Sequence, residues 1–200
     1  MRILFDWNNL FNFIKTLRKM KLSFPLAVQD YLDYQLYSVT RSEKAMRKRL
    51  IGRLLFPIIY LLVGIIFIID KNFTFVAFNL ILAVLWYFFY PISERKRYEN
   101  TFRRSIERDL KPHLNQVGSI EWTSNEIIAR ENDQEAIVNE KDVAEIVELH
   151  AVILIQLHNK HNFILPKRKI DNLADVVSYL QAKCTKLSIP YVDHSNWHWK

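Results

Sequence analysis

Glycine and cysteine are nearly absent from this sequence, and their scarcity removes several classes of function. Only three glycines occur among 200 residues, too few for the glycine-rich loops that bind phosphates or dinucleotides. The single cysteine, Cys184, excludes an internal disulfide and a cysteine-based zinc site. Cys184 falls in a helix-like stretch, where we expect a small buried hydrophobic side chain and not a reactive thiol.

Positive charge is unevenly distributed along the chain. Residues 1–116 contain 19 Lys/Arg and nine Asp/Glu, a net charge of +10, whereas residues 117–200 contain nine and 12, a net charge of −3. A nucleic-acid-binding protein would carry its basic excess on a folded face, but here the part that looks folded is acidic. The distribution therefore predicts the lipid bilayer, and not nucleic acid, as a partner.

Charged residues are missing from two long runs. Leu54–Ile69 contains 16 residues and Phe73–Ile92 contains 20, and as helices they would be roughly 24 and 30 Å long. The hydrocarbon core of a bilayer is about 30 Å thick, and only three residues separate the runs. The pattern predicts a two-helix transmembrane hairpin over residues 54–92. The shorter first helix then needs Arg53 to reach up to the interface, or the bilayer to thin.

Basic residues stand at both outer ends of this hairpin. By the positive-inside rule both flanks stay in the cytoplasm, so we expect a multi-pass protein of the cell (inner) membrane with both termini cytoplasmic. Asn79 is the one strongly polar side chain in mid-membrane, and it predicts a hydrogen bond to the partner helix or to a second copy in a homo-oligomer. The residues expected to set the topology are Arg47, Lys48, Arg49, Arg53, Arg95, Lys96 and Arg97.

The flanking regions divide into an N-terminal extension (residues 1–20), a cytoplasmic segment (21–53), a charged connecting helix (93–116), a cytoplasmic domain (117–192) and a tail (193–200). Within 21–53, alternating apolar residues from Leu22 to Val28 indicate a strand, and a helix-like stretch starts at Asp30. In the domain, a helix capped by Asp171 follows a series of short strands. These strands are predicted at Ser119–Trp122, Glu126–Glu131, Ala136–Asn139, Val143–Glu148, Ala151–Leu157 and Phe163–Pro166.

This order predicts an α+β fold, in which a small antiparallel β barrel or sheet is closed by a C-terminal helix, the plan of a pleckstrin-homology-like domain. Asn132-Asp133 and Asn159-Lys160 supply turn residues between strands. Ala151–Leu157 is nearly all apolar, so we expect it to be central in its sheet.

Four short sequence features connect these parts to a known family. They are the Asp30-Tyr31 helix start, the strand with Trp122, the Asp142-Val143 strand entry and the run Phe163-Ile164-Leu165-Pro166-Lys167-Arg168. On these features the chain from Lys21 to Tyr191 resembles the bacterial YcxB-like family. The resemblance implies a membrane hairpin and a pleckstrin-homology-like cytoplasmic domain, and it implies no activity.

The first twenty residues depart from the pattern of that family. They are rich in aromatic residues and weakly amphipathic, and Met20 follows directly. One interpretation is that Met20 is the native start. The alternative is that the segment forms an amphipathic helix at the membrane interface.

No motif for catalysis, metal binding or cofactor binding occurs in the sequence. The histidines lack the HExxH spacing, and GxSxG and P-loop patterns are missing. We therefore expect no enzyme, no metal site and no cofactor. The basic triple Lys167-Arg168-Lys169 predicts either contact with lipid head groups or a solvated loop that complements nearby acidic strands.

Three functions stay open at this stage. The first is a membrane-anchored interaction or regulatory protein with a protein partner. The second is a lipid or small-ligand sensor that uses the C-terminal domain. The third is a small transport or channel subunit that oligomerises through Asn79.

Overall fold

The structure is a computed structural model that describes residues 20–112, 114–131 and 134–199. The interpretations of residues 1–19 and of the Asn132-Asp133 turn lie outside these ranges. The chain divides into two units. Among the described residues, the sheet unit comprises 20–34, 109–112, 114–131 and 134–197, and the hairpin unit comprises 35–108, 198 and 199.

Two long helices dominate the hairpin unit. Helix α1 (Val28–Arg41) starts in the sheet unit, and α2 (Glu43–Ile69) and α3 (Phe73–Asp109) follow. Ser42 begins α2 by accepting a hydrogen bond from the Ala45 N–H. Both helices run well past the predicted apolar segments, because the flanking sequences are rich in Arg, Lys and Glu, which favour helix.

Helices α2 and α3 are antiparallel neighbours that contact each other near both ends. Arg49 Nε donates to Glu94 Oε2 at 2.9 Å near one end, and the rings of Phe67 and Phe75 stack with centroids 5.0 Å apart near the other. Between α2 and α3 the chain reverses through Lys71, which adopts a left-handed conformation with φ of 56°. The hairpin shape predicted from the short separation is therefore present.

The apolar side chains of this pair face outward. In the most apolar window of each helix, only 6% of α2 and 11% of α3 is buried. Both helices are long and apolar enough to cross a membrane.

The sheet unit contains two four-stranded sheets and helix α4 (Leu173–Leu187). The first sheet has the order β1 (Met20–Pro25), β2 (Val117–Trp122), β3 (Glu126–Glu131), β4 (Gln134–Asn139), with all pairs antiparallel. The second has the order β7 (Asn162–Pro166), β6 (Val152–Leu157), β5 (Val143–Leu149), β8 (Tyr191–His194), and only β5 and β8 are parallel.

These elements confirm the α+β class. Within the described ranges the two sheets do not join into a closed barrel, so the barrel form of the prediction is wrong and the sheet form holds. The central position predicted for Ala151–Leu157 is confirmed, because β6 lies between β7 and β5 and its Val152–Ile155 stretch is fully buried.

Strand β1 joins the first sheet from far away in the sequence. It pairs with β2 from Met20 opposite Trp122 to Pro25 opposite Val117, although the sequence interpretation placed it in a separate segment. Helices α1 to α3 are thus inserted between two neighbouring strands of one sheet. Alternation indicates a strand but not its partner, which is why the sequence did not reveal this pairing.

Two local features also differ from expectation. Helix α4 begins at Leu173 with Asn172 at its N-cap and no side-chain capping bond, so the assignment of Asp171 as the cap is wrong. Strand β8 was not predicted, because it has only four residues and pairs in parallel at a sheet edge.

The core of the sheet unit lies between the two sheets and α4. Cys184 belongs to it with 3% of its surface exposed, as the helical spacing predicts. The largest fully buried side chains of this core are Trp122, Ile127, Ile146, Ile153, Ile155, Leu165 and Leu180.

Candidate functional site

A crevice of about 330 Å³ lies within the sheet unit, between the inner face of the first sheet and strand β7. Three small residues on neighbouring strands, Gly118, Ala129 and Ala136, line the sheet side. Farther along β2 and β3, the large side chains of Trp122 and Ile127 are fully buried in the core. The crevice therefore exists because small side chains leave space that large ones occupy elsewhere between the same sheets.

Apolar side chains form the deeper walls of the crevice, and polar groups surround its mouth. Arg130 at the mouth pairs with Glu135 at 2.7 Å. Tyr31 reaches the crevice from α1, and burial, followed by the charges of Glu131 and Asp30, raises the pKa of its phenol. Tyr31 is therefore a protonated hydrogen-bond donor at neutral pH. The apolar wall residues include Phe24, Leu26, Ile120, Phe163 and Ile164.

One polar atom beside the crevice lacks a partner. The side-chain oxygen of Gln116 is buried without a hydrogen bond in the described part of the chain, and Gln116 lines the crevice. Asn162 on the β7 side donates to the Tyr34 hydroxyl at 2.7 Å. An apolar pocket with a few convergent polar groups is the usual form of a binding site for a small or extended ligand.

The predicted lipid-contact triple lies on the single 3₁₀ turn that follows β7. Arg168 donates to both carboxylate oxygens of Asp30, at 2.9 and 3.0 Å, and Lys167 pairs with Glu148, while Lys169 is exposed. Asp30 is buried and also accepts from the Ala27 N–H. Two of the three cations thus have carboxylate partners, and the Asp30 pair links α1 to the second sheet.

A buried ionic cluster lies at the end of the first sheet that is farther from the crevice. Glu140 is 5% exposed and accepts from Lys183 at 2.7 Å, from Lys186 at 2.8 Å and from the Trp122 indole at 3.3 Å. Lys183 also donates to the Thr123 carbonyl at 2.9 Å. The cluster connects α4 to the first sheet and to the turn before β5.

The charge state of this cluster follows from its hydrogen bonds. Burial acts to raise the pKa of Glu140, but hydrogen bonds from Lys183, Lys186 and Trp122 outweigh it, and the net pKa is lowered. Burial beside Glu140 raises the pKa of Tyr179 to about 12. Burial likewise raises the pKa of the Cys184 thiol to about 11, so this thiol is not activated as a nucleophile.

Sequence reasoning missed both Glu140 and Lys183. A signal for Lys183 was available, because it falls on the apolar stripe of α4 with Val176, Leu180 and Cys184. A lysine on such a stripe predicts a buried acidic partner. The identity of that partner depends on the fold, since Glu140 is 43 positions away.

The predicted hydrogen bond from Asn79 to the partner helix is not seen among the described residues, and the alternative bond to a second copy stays a prediction. The Asn79 side-chain amide donates to the Phe75 carbonyl of its own helix at 2.9 Å, and not to the partner helix. It still lies at the helix–helix contact, because a Cβ added at Gly64 would be 3.8 Å from the Asn79 Cβ.

The cations predicted to set the topology divide into two groups. Arg49 and Arg53 lie between the helices: Arg49 pairs with Glu94, and Arg53 stacks over the Tyr87 ring at 4.0 Å. The others are exposed, namely Arg47, Lys48, Arg95, Lys96 and Arg97.

Within the described ranges no three His, Cys, Asp or Glu side chains are grouped as a metal site would require. Comparison with known proteins adds no family. Protein-family models, curated proteins and solved structures each give no significant match to this chain.

Proposed function

We propose that this protein is an integral membrane protein whose α2–α3 hairpin anchors a non-catalytic interaction or regulatory module at the cytoplasmic face of the cell membrane. The observation that carries this proposal is the outward-facing apolar surface of the hairpin unit, where 6% and 11% of the two apolar windows is buried. The core helix of a soluble protein would instead be mostly buried, and exposed patches of this size mark membrane or protein contact.

The charges at the hairpin ends support a defined orientation. The seven predicted topology cations stand at the end opposite the loop, whereas the loop itself contains one aspartate and one lysine. The positive-inside rule then places that loop outside and both flanks inside.

Cysteine mapping tests the anchor and its orientation together. In a Cys184→Ser background, we expect Asn72→Cys to react with a membrane-impermeant maleimide in intact cells and Ser195→Cys to react only after permeabilisation. Recovery of the protein in the soluble fraction would overturn the anchor, and labelling of position 195 in intact cells would overturn the orientation.

We further propose that the sheet unit is pleckstrin-homology-like and that the chain belongs to the YcxB-like family. The order of elements supports this, since after the inserted helices the strands β2 to β4, the strands β5 to β7 and helix α4 follow one another. Three residues from the features that carry the resemblance also have structural roles. Trp122 is fully buried, and Asp30 binds Arg168.

The crevice is the surface that we propose for partner binding. It is open, apolar in depth and polar at the mouth, and it lies between edge strands β4 and β7, whose backbone can also pair with an extended segment.

A filled-crevice variant tests this surface. Ala136→Trp on β4 places a large ring in the crevice, and Ile137→Trp is the matched control, because Ile137 is 59% exposed on the opposite face of the same strand. We expect Ala136→Trp, and not Ile137→Trp, to lose the proteins that co-purify from native membranes in mild detergent. Equal recovery with both variants would remove the crevice as the docking surface.

A small-ligand sensor is the second candidate function, favoured by the crevice volume of about 330 Å³. Ligand pockets are commonly about 300–1,000 Å³. Mass spectrometry of organic extracts from the purified protein would distinguish it from protein docking. A small molecule present in the wild type and in Ile137→Trp, but missing from Ala136→Trp, supports the sensor, and identical extracts contradict it.

A further inference from the structure

The cation-rich end of the hairpin unit contains a groove of about 170 Å³ between α2 and α3. Arg53 lines this groove and has no acceptor among the described residues, and its Nε–H is buried without a hydrogen bond. Its guanidinium carbon lies over the face of the Tyr87 ring, 4.0 Å from the centroid. A cation held in a groove without an acceptor favours binding of an anion there.

The other charged groups of the groove do not neutralise Arg53. Glu94 is the acidic residue of the lining, but it is 4% exposed and is paired with Arg49 at 2.9 Å. The Tyr90 hydroxyl also faces Glu94, at 3.4 Å. Arg49 is further occupied by the Trp199 ring, whose centroid is 4.1 Å from its guanidinium carbon. Exposed cations at the same end, such as Arg47 and Lys96, add positive potential.

The position of the groove indicates the source of the anion. Arg53 directly precedes the first uncharged run, and Pro91 lies at the end of the second. If the helices span a bilayer, this level is that of the lipid phosphates. Leu50, on the groove wall, is 58% exposed and continues into the apolar surface of α2, where an acyl chain would lie.

We propose that this groove binds the phosphate of an anionic phospholipid from the cytoplasmic leaflet, with the Arg53 guanidinium as the principal donor. The inference rests on the membrane anchor proposed above. A guanidinium binds phosphate through two parallel N–H donors, and a volume of about 170 Å³ fits a head-group phosphate and not a whole lipid. The acyl chains therefore remain on the outside of the helix pair.

Native mass spectrometry of the full-length protein, with phosphatidylglycerol and phosphatidylcholine titrated separately, tests this site. We expect the wild type to retain phosphatidylglycerol preferentially and Arg53→Gln to bind it about tenfold more weakly, the effect of one lost charged hydrogen bond. Arg47→Gln is the matched control, because Arg47 is exposed on the same helix and does not line the groove. It removes the same charge and should change affinity less than about twofold.

A second pair of variants tests the groove without altering charge. Leu50→Trp fills it, whereas Ile51→Trp adds the same ring at a neighbouring position that is 62% exposed and outside the groove. We expect only Leu50→Trp to lose phosphatidylglycerol, and we expect millimolar inorganic phosphate not to displace the lipid. Displacement of the lipid by inorganic phosphate would overturn the proposal. So would an equal loss of phosphatidylglycerol binding in a variant and its matched control, for either pair of variants.

Reconstitution of the same protein into vesicles of each lipid separates failure of this site from failure of the anchor. If the protein does not enter vesicles of either lipid, the proposed membrane anchor fails. If it enters both and binds both lipids equally, only the phospholipid site fails.

Discussion

The two units of this protein use apolar residues in opposite ways. In the sheet unit, Ile153 and Ile155 of β6 are fully buried, whereas in the hairpin unit Ile65 and Ile66 of α2 are 53% and 58% exposed. Water can stabilise the first arrangement by the hydrophobic effect, but it would oppose the second. The difference supports the proposal that the hairpin unit, unlike the sheet unit, lies in a lipid bilayer.

Each unit nevertheless contains a buried carboxylate that pairs with a basic partner. Glu94 is 4% exposed and pairs with Arg49, and Glu140 is 5% exposed and pairs with Lys183. In each case the pair joins elements that are far apart in the sequence. Buried charge is therefore used for the same purpose in both units, while apolar surface is not.

The largest effect should come from breaking the Glu140 cluster. Lys183→Met leaves Glu140 buried without its closest donor, and we expect the free energy of unfolding of the sheet unit to fall by about 3–5 kcal/mol. The measurement is the equilibrium labelling of Cys184, a buried thiol of the same unit, over a urea series in detergent.

Lys186→Met is the matched control for that variant. Lys186 binds the same carboxylate from the same helix, but its side chain is 57% exposed, so we expect a loss below about 1 kcal/mol. Equal losses for the two lysines would contradict the assignment of Lys183 as the buried partner.

A direct comparison of isoleucines tests the difference in solvent between the units. Ile155→Ala should destabilise the sheet unit by about 2–5 kcal/mol through lost burial and cavity formation. Ile65→Ala, at an exposed position of α2, should leave Cys184 labelling unchanged and keep the protein in the membrane fraction. Comparable destabilisation by both would show that α2 is buried in a protein core.

A smaller effect should appear in the pH dependence of the stability of the sheet unit. The folded-state pKa of Glu140 is lowered from its ordinary value of 4.5, so its contribution to stability is complete above that value and is lost as the pH falls through the folded-state pKa. We expect the urea midpoint of the wild type to fall below about pH 4.5, and that of Glu140→Gln to depend less on pH over the same range. Near-ultraviolet circular dichroism between pH 6 and 3 measures both.

Glu126→Gln controls for the general loss of a carboxylate, since Glu126 is exposed in the first sheet. The urea midpoint of Glu126→Gln should fall with pH in the same way as that of the wild type. An unchanged acid response in Glu140→Gln would mean that other carboxylates determine it.

The sequence was informative where the pattern is local. Charge-free runs predicted the two apolar helices, and six short strands were predicted in the C-terminal domain, of which Glu126–Glu131 has the same ends in the structure. Long-range pairing was not predictable. The partner of β1 is separated from it by the whole hairpin, and the Asp30–Arg168 pair joins residues 138 positions apart.

The candidate sites were less predictable than the fold for the same reason. The crevice depends on three small residues, Gly118, Ala129 and Ala136, that come together only when β2, β3 and β4 are in register. The lipid-contact prediction for Lys167–Lys169 rested on a local cluster, and it could not anticipate Glu148 and Asp30 as partners. Net charge in a sequence does not show which cations are already paired.

The smallest effects should distinguish two glycines of the α2–α3 contact. A Cβ at Gly64 would meet Asn79 at an ordinary 3.8 Å, whereas one at Gly52 would collide with the Tyr90 hydroxyl oxygen. Gly64→Ala should be neutral or stabilise α2 by up to about 1 kcal/mol, the difference in helix propensity.

Gly52→Ala should instead displace Tyr90 and weaken the hydrogen bond from the Trp86 indole to the Gly52 carbonyl, now 3.2 Å. We expect faster hydrogen–deuterium exchange near Gly52 in Gly52→Ala and unchanged or slower exchange near Gly64 in Gly64→Ala. Adding Tyr90→Phe to Gly52→Ala removes the hydroxyl that collides, so it should partly restore protection. If the double variant exchanges as fast as Gly52→Ala, the helices do not approach each other through this pair, and the contact beside the proposed phospholipid groove must be looser than the structure has it.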